Sequence, residues 1–179
     1  MDKEMESLQY PIGRFVRPVE VSEEEISRAI VIISEFPDKI QRAVENLDDE
    51  QLDTPYRPDG WTIRQVVHHC ADSHMNAYMR FKLALTEETP TIKPYAQTRW
   101  ASLIDSQVLP PDISIVIIKG IHARWVTIMD GMSDEEWDRR LIHPDQGAAQ
   151  SLKQVVRMYE WHSEHHLAHV TGLIERMNW

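Results

Sequence analysis

The chain has 179 residues, of which 42% are hydrophobic and 27% are charged. This length and composition are typical of one globular domain, here spanning residues 1–179, and they exclude a disordered or fibrous protein. Acidic residues number 29 against 19 basic ones, and the resulting net charge of −10 argues against nucleic acid or an anionic membrane as the main partner.

The sequence also indicates a cellular compartment. No stretch approaches the roughly 18 apolar residues of a membrane span, and the polar N-terminal residues lack the apolar region of a signal peptide. The single cysteine, Cys70, cannot form an internal disulfide, which suits a reducing interior. We therefore expect a cytoplasmic protein. Its unusual feature is the presence of nine histidines.

The first predicted helix follows an N-terminal segment, residues 1–21, that shows no hydrophobic period and is expected to form an extended arm. Ser22 begins the helix, and Glu25 three residues later completes a capping box. Pro37 should kink or restart the helix, and residues 48–60 should form a loop. The apolar residues at helical spacing are Ile26, Ala29, Ile30, Ile33, Ile40, Val44 and Leu47.

The second predicted helix begins at Thr62, with Gln65 completing its capping box, and lasts to about Leu85. Residues 86–111 then form a long irregular segment between the second and third helices. A connection of this length in a compact domain is usually a lid or a packed loop, so it should shape a pocket. The apolar stripe of the second helix is Ile63, Val66, Val67, Cys70, Ala77, Phe81 and Ala84.

The third predicted helix is capped by Asp112 and runs to Asp130, before a short helical turn around Trp137 and a loop over residues 139–150. Its apolar stripe is expected at Ile113, Val116, Ile117, Ile121, Trp125 and Ile128. The last helix is capped by Ser151 and runs to Met177. No segment is a convincing strand, and four long helices in one small domain predict an all-α four-helix bundle.

The last helix carries two histidines on its core face. The apolar spacing of its two ends, continued through the middle, passes through His162 and His166. Residues four apart on a helix have Cβ atoms about 6 Å apart, so these two imidazoles can bind one metal ion. His165 and His169 form a second pair, rotated away from the core line, and are expected at its boundary or as supports for the ligands.

A metal site needs a further ligand from a facing helix. The second helix offers His68, His69 and His74. His69 lies beside the apolar stripe of that helix, whereas His68 should point further out. Cys70 is expected to be a small buried hydrophobic residue and not a nucleophile.

The run from Gly60 to His74, GWTIRQVVHHCADSH, resembles the metal-site helix of the DinB-like superfamily, and most closely its YfiT-type branch of metal-dependent hydrolases. The resemblance extends over nearly the whole chain. Supporting stretches lie at residues 10–13, 51–57, 80–83, 85–90 and 161–162.

This resemblance implies a four-helix bundle with a divalent metal, zinc or nickel, held by three histidines. The family's first ligand lies eight residues after the tryptophan at the helix start, here Trp61, which selects His69 over His68. The paired ligands of the last helix correspond to His162 and His166. The resemblance also implies a cytoplasmic homodimer.

Three histidine ligands leave open positions on the ion, which is the pattern of catalytic sites. Water activated there could attack a carbonyl or similar centre of a small-molecule substrate, and this hydrolase function is the main prediction. A bound low-molecular-weight thiol would lose its proton at the same ion, so a thiol S-transferase using a bacillithiol-like thiol is the alternative, which the resemblance implies as well. The third possibility is a metal-binding protein without catalysis.

A general base is not obvious in the sequence. Asp72 lies one turn from His69 and is expected to orient its ring. His143, His165 and Glu160 are weaker candidates for the base. The missing base slightly favours thiol transfer on mechanistic grounds.

Overall fold

The computed structural model describes residues 3–179, apart from the side chain at position 146. In chain order the helices are α1 (Lys3–Gln9), α2 (Glu23–Val44), α3 (Asp49–Leu52), α4 (Ile63–Thr86), α5 (Gln97–Ala101), α6 (Ile104–Val108), α7 (Pro111–Asp130), α8 (Asp134–Trp137) and α9 (Leu152–Met177). Two short antiparallel strands, β1 (Arg140–Leu141) and β2 (Gln150–Ser151), flank a 3-10 turn at Pro144–Gln146. The long helices α2, α4, α7 and α9 form the predicted four-helix bundle, in which α2 and α4 each pack against both α7 and α9.

Three of the four bundle helices begin where the sequence predicts. The side chains of Ser22, Thr62 and Ser151 each accept a hydrogen bond from the backbone N–H three residues later. A glutamate or glutamine side chain returns the bond to the cap backbone in each case. Such a cap typically contributes about 1 kcal/mol because it satisfies N–H groups that have no partner inside the helix.

The apolar core is divided into two clusters along the bundle. One contains Phe81, Trp125 and Tyr159, and the other contains Val66 and Val170. The residues of α4 and α9 that lie in sequence between these clusters include most of the histidines. A buried polar layer therefore crosses the bundle between two apolar ends.

The predicted stripe of the third helix is wrong in its first two turns. Ile113, Val116 and Ile117 are 46%, 70% and 41% exposed, whereas Ile118 and His122 are buried. The helix is apolar on nearly every side, so its hydrophobic period does not identify the face that packs into the core. The helix also begins at Pro111 without a side-chain cap, and not at Asp112.

The connecting segments hold more regular structure than predicted. The segment expected as an extended arm contains α1, with residues 1–2 lying outside the described part. The predicted loops contain α3, α5 and α6, and the two strands with their 3-10 turn lie within residues 139–151. Each of these elements is too short to produce a readable hydrophobic period.

The helix α2 runs through Pro37 without interruption, so the predicted restart there is wrong. Proline has no N–H for the carbonyl four residues earlier, which is that of Ile33. The Nδ1 atom of His122 lies 2.6 Å from this carbonyl oxygen and supplies the missing donor from α7.

Among residues 3–179, no helix combines the length and hydropathy needed to cross a lipid bilayer.

Candidate metal centre

Three predicted ligands meet where α4 faces α9. His69 of α4 and His162 and His166 of α9 each place a ring nitrogen within 4.8 Å of the other two. The Nε2 atoms of His69 and His162 are 3.2 Å apart. The three residues are 3%, 8% and 7% exposed. The structure therefore brings together the set that the sequence and the resemblance select.

The local sequence explains why the three rings converge. His162 and His166 are one turn apart on the face of α9 that packs against α4, with ring centroids 4.5 Å apart. Trp61 precedes the cap of α4 and lies against the ring of His69, with centroids 4.6 Å apart. It also stacks against His166, so one indole restricts ligands from both helices.

The three imidazoles are held in their neutral form. Burial lowers the pKa of His69 to about 4. Burial and the neighbouring histidines lower the pKa values of His162 and His166 well below the ordinary value. A neutral imidazole has one nitrogen lone pair, and zinc, nickel, copper and iron all accept such donors. Three buried lone-pair donors facing one point fit a divalent cation, which compensates for their desolvation.

A second group of histidines could also hold a metal by distance alone. His165, His166 and His169 place ring nitrogens within 4.8 Å of one another, but all three belong to α9. The Nε2 of His169 lies 3.2 Å from the carbonyl oxygen of Gln9. Since this ring is engaged by the backbone and the group lacks a histidine from a facing helix, we take the first group as the candidate metal site. His165 and His169 are buried beside it.

A cavity of about 380 Å³ opens onto the candidate centre. Its wall is largely aromatic and contains, besides the histidines, Tyr10, Tyr56, Trp61, Tyr95, Tyr159 and Trp161. Pro94, Tyr95 and Gln97 come from the segment 86–111, so the expectation that this segment shapes a pocket is confirmed. The cavity has the size of a small-molecule site.

Arg80 is the buried cation of this cavity. The residue is 9% exposed and lines the wall. Its Nη1 donates to the hydroxyl of Tyr159 over 3.4 Å, and that hydroxyl donates to the Ser73 carbonyl over 3.2 Å. Among the described residues no carboxylate forms an ion pair with Arg80. A buried guanidinium without a counter-ion is costly, and here it is available to an anionic ligand.

Two of the candidates for a supporting role lie outside the cavity wall. No hydrogen bond among the described residues joins Asp72 to His69, and burial together with Asp105 raises the pKa of Asp72 to about 6. Glu160 is engaged elsewhere, since it accepts from Arg28 over 3.0 Å and pairs with Arg157. The structure therefore gives neither carboxylate its predicted role.

The other two candidates lie in the cavity wall. His143 and His165 both line it, and each has a buried Nδ1 with no hydrogen-bond partner among the described residues. Burial lowers the pKa of His165 to about 4, which makes it a weak base. Burial and the charge of Arg80 lower the pKa of His143 as well, so this ring is neutral at pH 7 and is also a weaker base than a free imidazole.

Two neighbours of His69 belong to the packing of α4. His68 was expected to point outward but is buried, because Ser114 and the Leu109 carbonyl cover it at 2.7 and 3.0 Å. Cys70 is fully buried in the apolar cluster of Val66, and burial raises the pKa of its thiol. It is therefore the small hydrophobic residue that was expected.

Sequence reasoning missed several residues of the site region. His122 lies four residues after Ile118 and three before Trp125, so a correctly phased helix would have placed it on the buried face of α7. Tyr95 and Arg80 carry no such signal. Their role depends on which segments enclose the cavity, and no local pattern contains that information.

Residues 33–170 match the sequence model of the DinB superfamily. The chain belongs to the DinB superfamily. A Bacillus cereus (strain AH820) protein named "Putative metal-dependent hydrolase" is 48% identical over 175 residues, which cover 98% of this chain and all of that protein. A Bacillus mycoides (strain KBAB4) protein of similar name is 47% identical over the same shares.

A solved structure confirms the predicted resemblance to the YfiT type of this superfamily. YfiT from Bacillus subtilis, described as "a probable metal-dependent hydrolase with an unusual four-helix bundle topology", superposes with a TM-score of 0.94 at 46% identity, over 97% of this chain and 99% of that chain. A mycothiol-dependent maleylpyruvate isomerase superposes with a TM-score of 0.59 at 18% identity, over 78% of this chain and 60% of that one. The second likeness shows a shared fold.

Proposed function

We propose that this DinB-superfamily protein is a metal-dependent hydrolase whose His69, His162 and His166 hold a divalent ion, zinc or nickel. The observation that carries the proposal is the meeting of three buried, neutral imidazoles from two helices at an open cavity. An ion with three histidine ligands acts as a Lewis acid and lowers the pKa of bound water to about 7.

The remaining residues of the cavity would bind and orient the substrate. Arg80 would pair with an anionic group of a small molecule, since its guanidinium has no carboxylate partner among residues 3–179. The aromatic wall would exclude water around the reacting group. The neutral ring of His143, with its unpartnered Nδ1, would accept a proton from the nucleophile or return one to the leaving group.

Thiol S-transfer is the second candidate, and one observation favours it. Asp145 is the only carboxylate in the described wall of the cavity, and it is exposed. Any general-base contribution to hydrolysis therefore falls to His143, whereas a thiol that loses its proton outright at the ion needs no base. A bacillithiol-like thiol that carries a carboxylate would also provide a counter-ion for Arg80.

Substrate panels and a His143→Ala variant would separate the two reactions. Metal-loaded protein would be assayed on carboxylate-bearing esters and amides without thiol, and with a low-molecular-weight thiol plus monochlorobimane. If the protein is a hydrolase, His143→Ala should lower its hydrolytic rate roughly 100-fold, the usual scale of lost general-base catalysis. Thiol conjugation that is unaffected by His143→Ala would identify the transferase. If the protein shows neither activity at full metal occupancy, it is a metal-binding protein without catalysis.

We further propose that the protein is a cytoplasmic homodimer. Exposed apolar residues lie on α6, on α7 and in the residues that flank α6. We take them together as the α6–α7 apolar face, since exposed apolar faces usually mark contact sites. Its members are Leu103, Ile104, Val108, Leu109, Ile113, Val116 and Ile117. A second copy of the chain would cover this face.

Glutamate at position 116 should therefore break the dimer. Val116 is 70% exposed, so Val116→Glu should leave the fold intact while burying a charge in the contact. We expect a weakening of at least 100-fold, which corresponds to about 2.8 kcal/mol, measured by light scattering on a sizing column. Val19→Glu, at a position 93% exposed outside this face, is the control. An unchanged mass for Val116→Glu would refute this interface.

A further inference from the structure

Three histidines form a buried chain of hydrogen bonds that ends at the candidate centre. The chain begins at the Ile33 carbonyl, which lies 2.6 Å from Nδ1 of His122. The Nε2 of His122 is 2.7 Å from Nδ1 of His74, and the Nε2 of His74 is 3.0 Å from Nδ1 of His162. The three rings are 2%, 0% and 8% exposed.

The carbonyl fixes the direction of every bond in this chain. A carbonyl oxygen only accepts, so His122 donates from Nδ1. Burial lowers the pKa of His122 to about 4, so its Nε2 carries no hydrogen and accepts from Nδ1 of His74. The fully buried His74 then has its lone pair on Nε2 and accepts from Nδ1 of His162.

We infer that His74 and His122 are positioning residues that hold His162 in the Nδ1–H tautomer and so place its lone pair on Nε2, the atom that would bind the ion. This inference rests on the proposed metal site. The Nε2 of His162 lies 3.2 Å from the Nε2 of His69 and 3.3 Å from the Ser73 hydroxyl oxygen. The chain of hydrogen bonds therefore aims the lone pair at the candidate centre, where the Ser73 hydroxyl can donate to it in the metal-free protein. Hydrogen bonds of this kind orient metal-bound histidines in general.

Pro37 leaves the Ile33 carbonyl, where the chain of hydrogen bonds begins, without a donor inside α2. A residue with an N–H at this position would donate to the Ile33 carbonyl within α2, and His122 would compete with it for the acceptor. Proline removes that competing donor. The proline inside α2 and the imidazole chain across α7 and α4 are therefore two parts of one arrangement.

A shorter chain does the same for His166. The Gln9 carbonyl only accepts, so His169 donates to it from Nε2 over 3.2 Å and keeps a lone pair on Nδ1. The Nδ1 of His166 lies 3.4 Å from the Nδ1 of His169 and donates to it. His166 thereby acquires the same Nδ1–H tautomer as His162, with Nε2 free. A backbone carbonyl group thus determines the tautomer of each candidate ligand of α9.

Ring nitrogen spectra of the metal-free protein test this inference directly. Long-range proton–nitrogen correlations on protein labelled in its histidine rings distinguish protonated from unprotonated nitrogens. We expect Nδ1–H tautomers for His74, His122, His162 and His166, and an Nε2–H tautomer for His169. A hydrogen on Nε2 of His162 would overturn the inference. Because no metal or substrate is present, failure of the proposed hydrolase activity would leave this result unaffected.

Metal affinity gives a second readout. Replacement of His74 by phenylalanine removes the acceptor for the Nδ1–H group of His162 and should weaken zinc binding about 10–100-fold, as measured by competition with a chromophoric chelator. His68→Phe is the matched control, since His68 is a buried, hydrogen-bonded histidine of the same helix outside the chain, and its affinity should stay within about threefold. Equal affinities for His74→Phe and wild type would contradict the inference. If His74→Phe does not fold, His122→Phe tests the same chain of hydrogen bonds, and its zinc affinity should also fall; an affinity equal to that of the wild type would contradict the inference.

Discussion

Replacement of His162 by alanine should abolish the stabilisation of the protein by zinc or nickel. A ligand present at 100 times its dissociation constant stabilises a folded protein by about 2.7 kcal/mol. For a chain of 179 residues this raises the melting temperature by roughly 5–10 °C. The variant lacks one of three ligands and should show no such rise, and metal analysis of protein from its native host should find one ion per wild-type chain and none per variant chain.

His165→Ala is the control for this experiment. His165 neighbours the candidate ligands on α9 and belongs only to the second group of histidines. Each variant is compared with its own metal-free melting temperature, so loss of packing does not enter the comparison. Retention of the metal-induced rise in His165→Ala assigns the ion to the first group. Loss of that rise in His165→Ala, with retention in His162→Ala, would assign it to the second group and refute the proposed centre.

The candidate ligands of α9 could be located from the sequence because the signal is local. His162 and His166 occupy positions in a helical stripe whose two ends are plainly apolar, and a polar residue there must be compensated when buried. The apolar pattern of α4 does not by itself select His69, because His69 lies beside the apolar stripe and the neighbouring His68 is also buried. Spacing within one helix shows which residues share a face, but the facing residues of another helix depend on how the two helices pack.

The chain of hydrogen bonds from His122 to His162 could not be predicted from residue spacing within one helix. Sequence rules treat Pro37 as a break, because they see only the missing N–H within α2. The replacement donor comes from His122, which lies far away in the sequence. The phase of α7 was wrong for a related reason. The helix has apolar residues on several faces, and its exposed side is decided by the neighbours that α2 and α4 provide.

Two arginines of α4 differ in how their buried charges are compensated. We therefore expect their replacement to change the free energy of unfolding in opposite directions. Arg64 is 4% exposed and donates to Asp53 at 2.7 Å, to Asp49 at 2.8 Å and to the Leu109 carbonyl at 3.1 Å. Arg80 is 9% exposed and donates to a tyrosine hydroxyl at 3.4 Å. The first charge is compensated within the fold, and the second has no carboxylate partner among residues 3–179.

Arg80→Met should therefore stabilise the metal-free protein while impairing substrate binding. Removal of an uncompensated buried charge should raise the free energy of unfolding by about 1 kcal/mol, since apolar replacements of buried charges are often stabilising. Arg64→Met should lower it by about 2 kcal/mol, because charged hydrogen bonds are lost. Urea denaturation measures both effects. A loss of stability in Arg80→Met equal to that in Arg64→Met would show that Arg80 is a structural residue.

Kinetics on paired substrates complete the argument. Two esters identical except that one bears a carboxylate and the other a carboxamide would be compared on wild type and Arg80→Met. The variant should lose about 100-fold in kcat/KM for the carboxylate, or about 2.7 kcal/mol of transition-state stabilisation, and little for the carboxamide. Equal losses for both esters would mean that Arg80 acts on the shape of the cavity and not on substrate charge. A stabilised variant that has lost only the charged substrate would show that the fold retains an unfavourable buried cation because the reaction requires it.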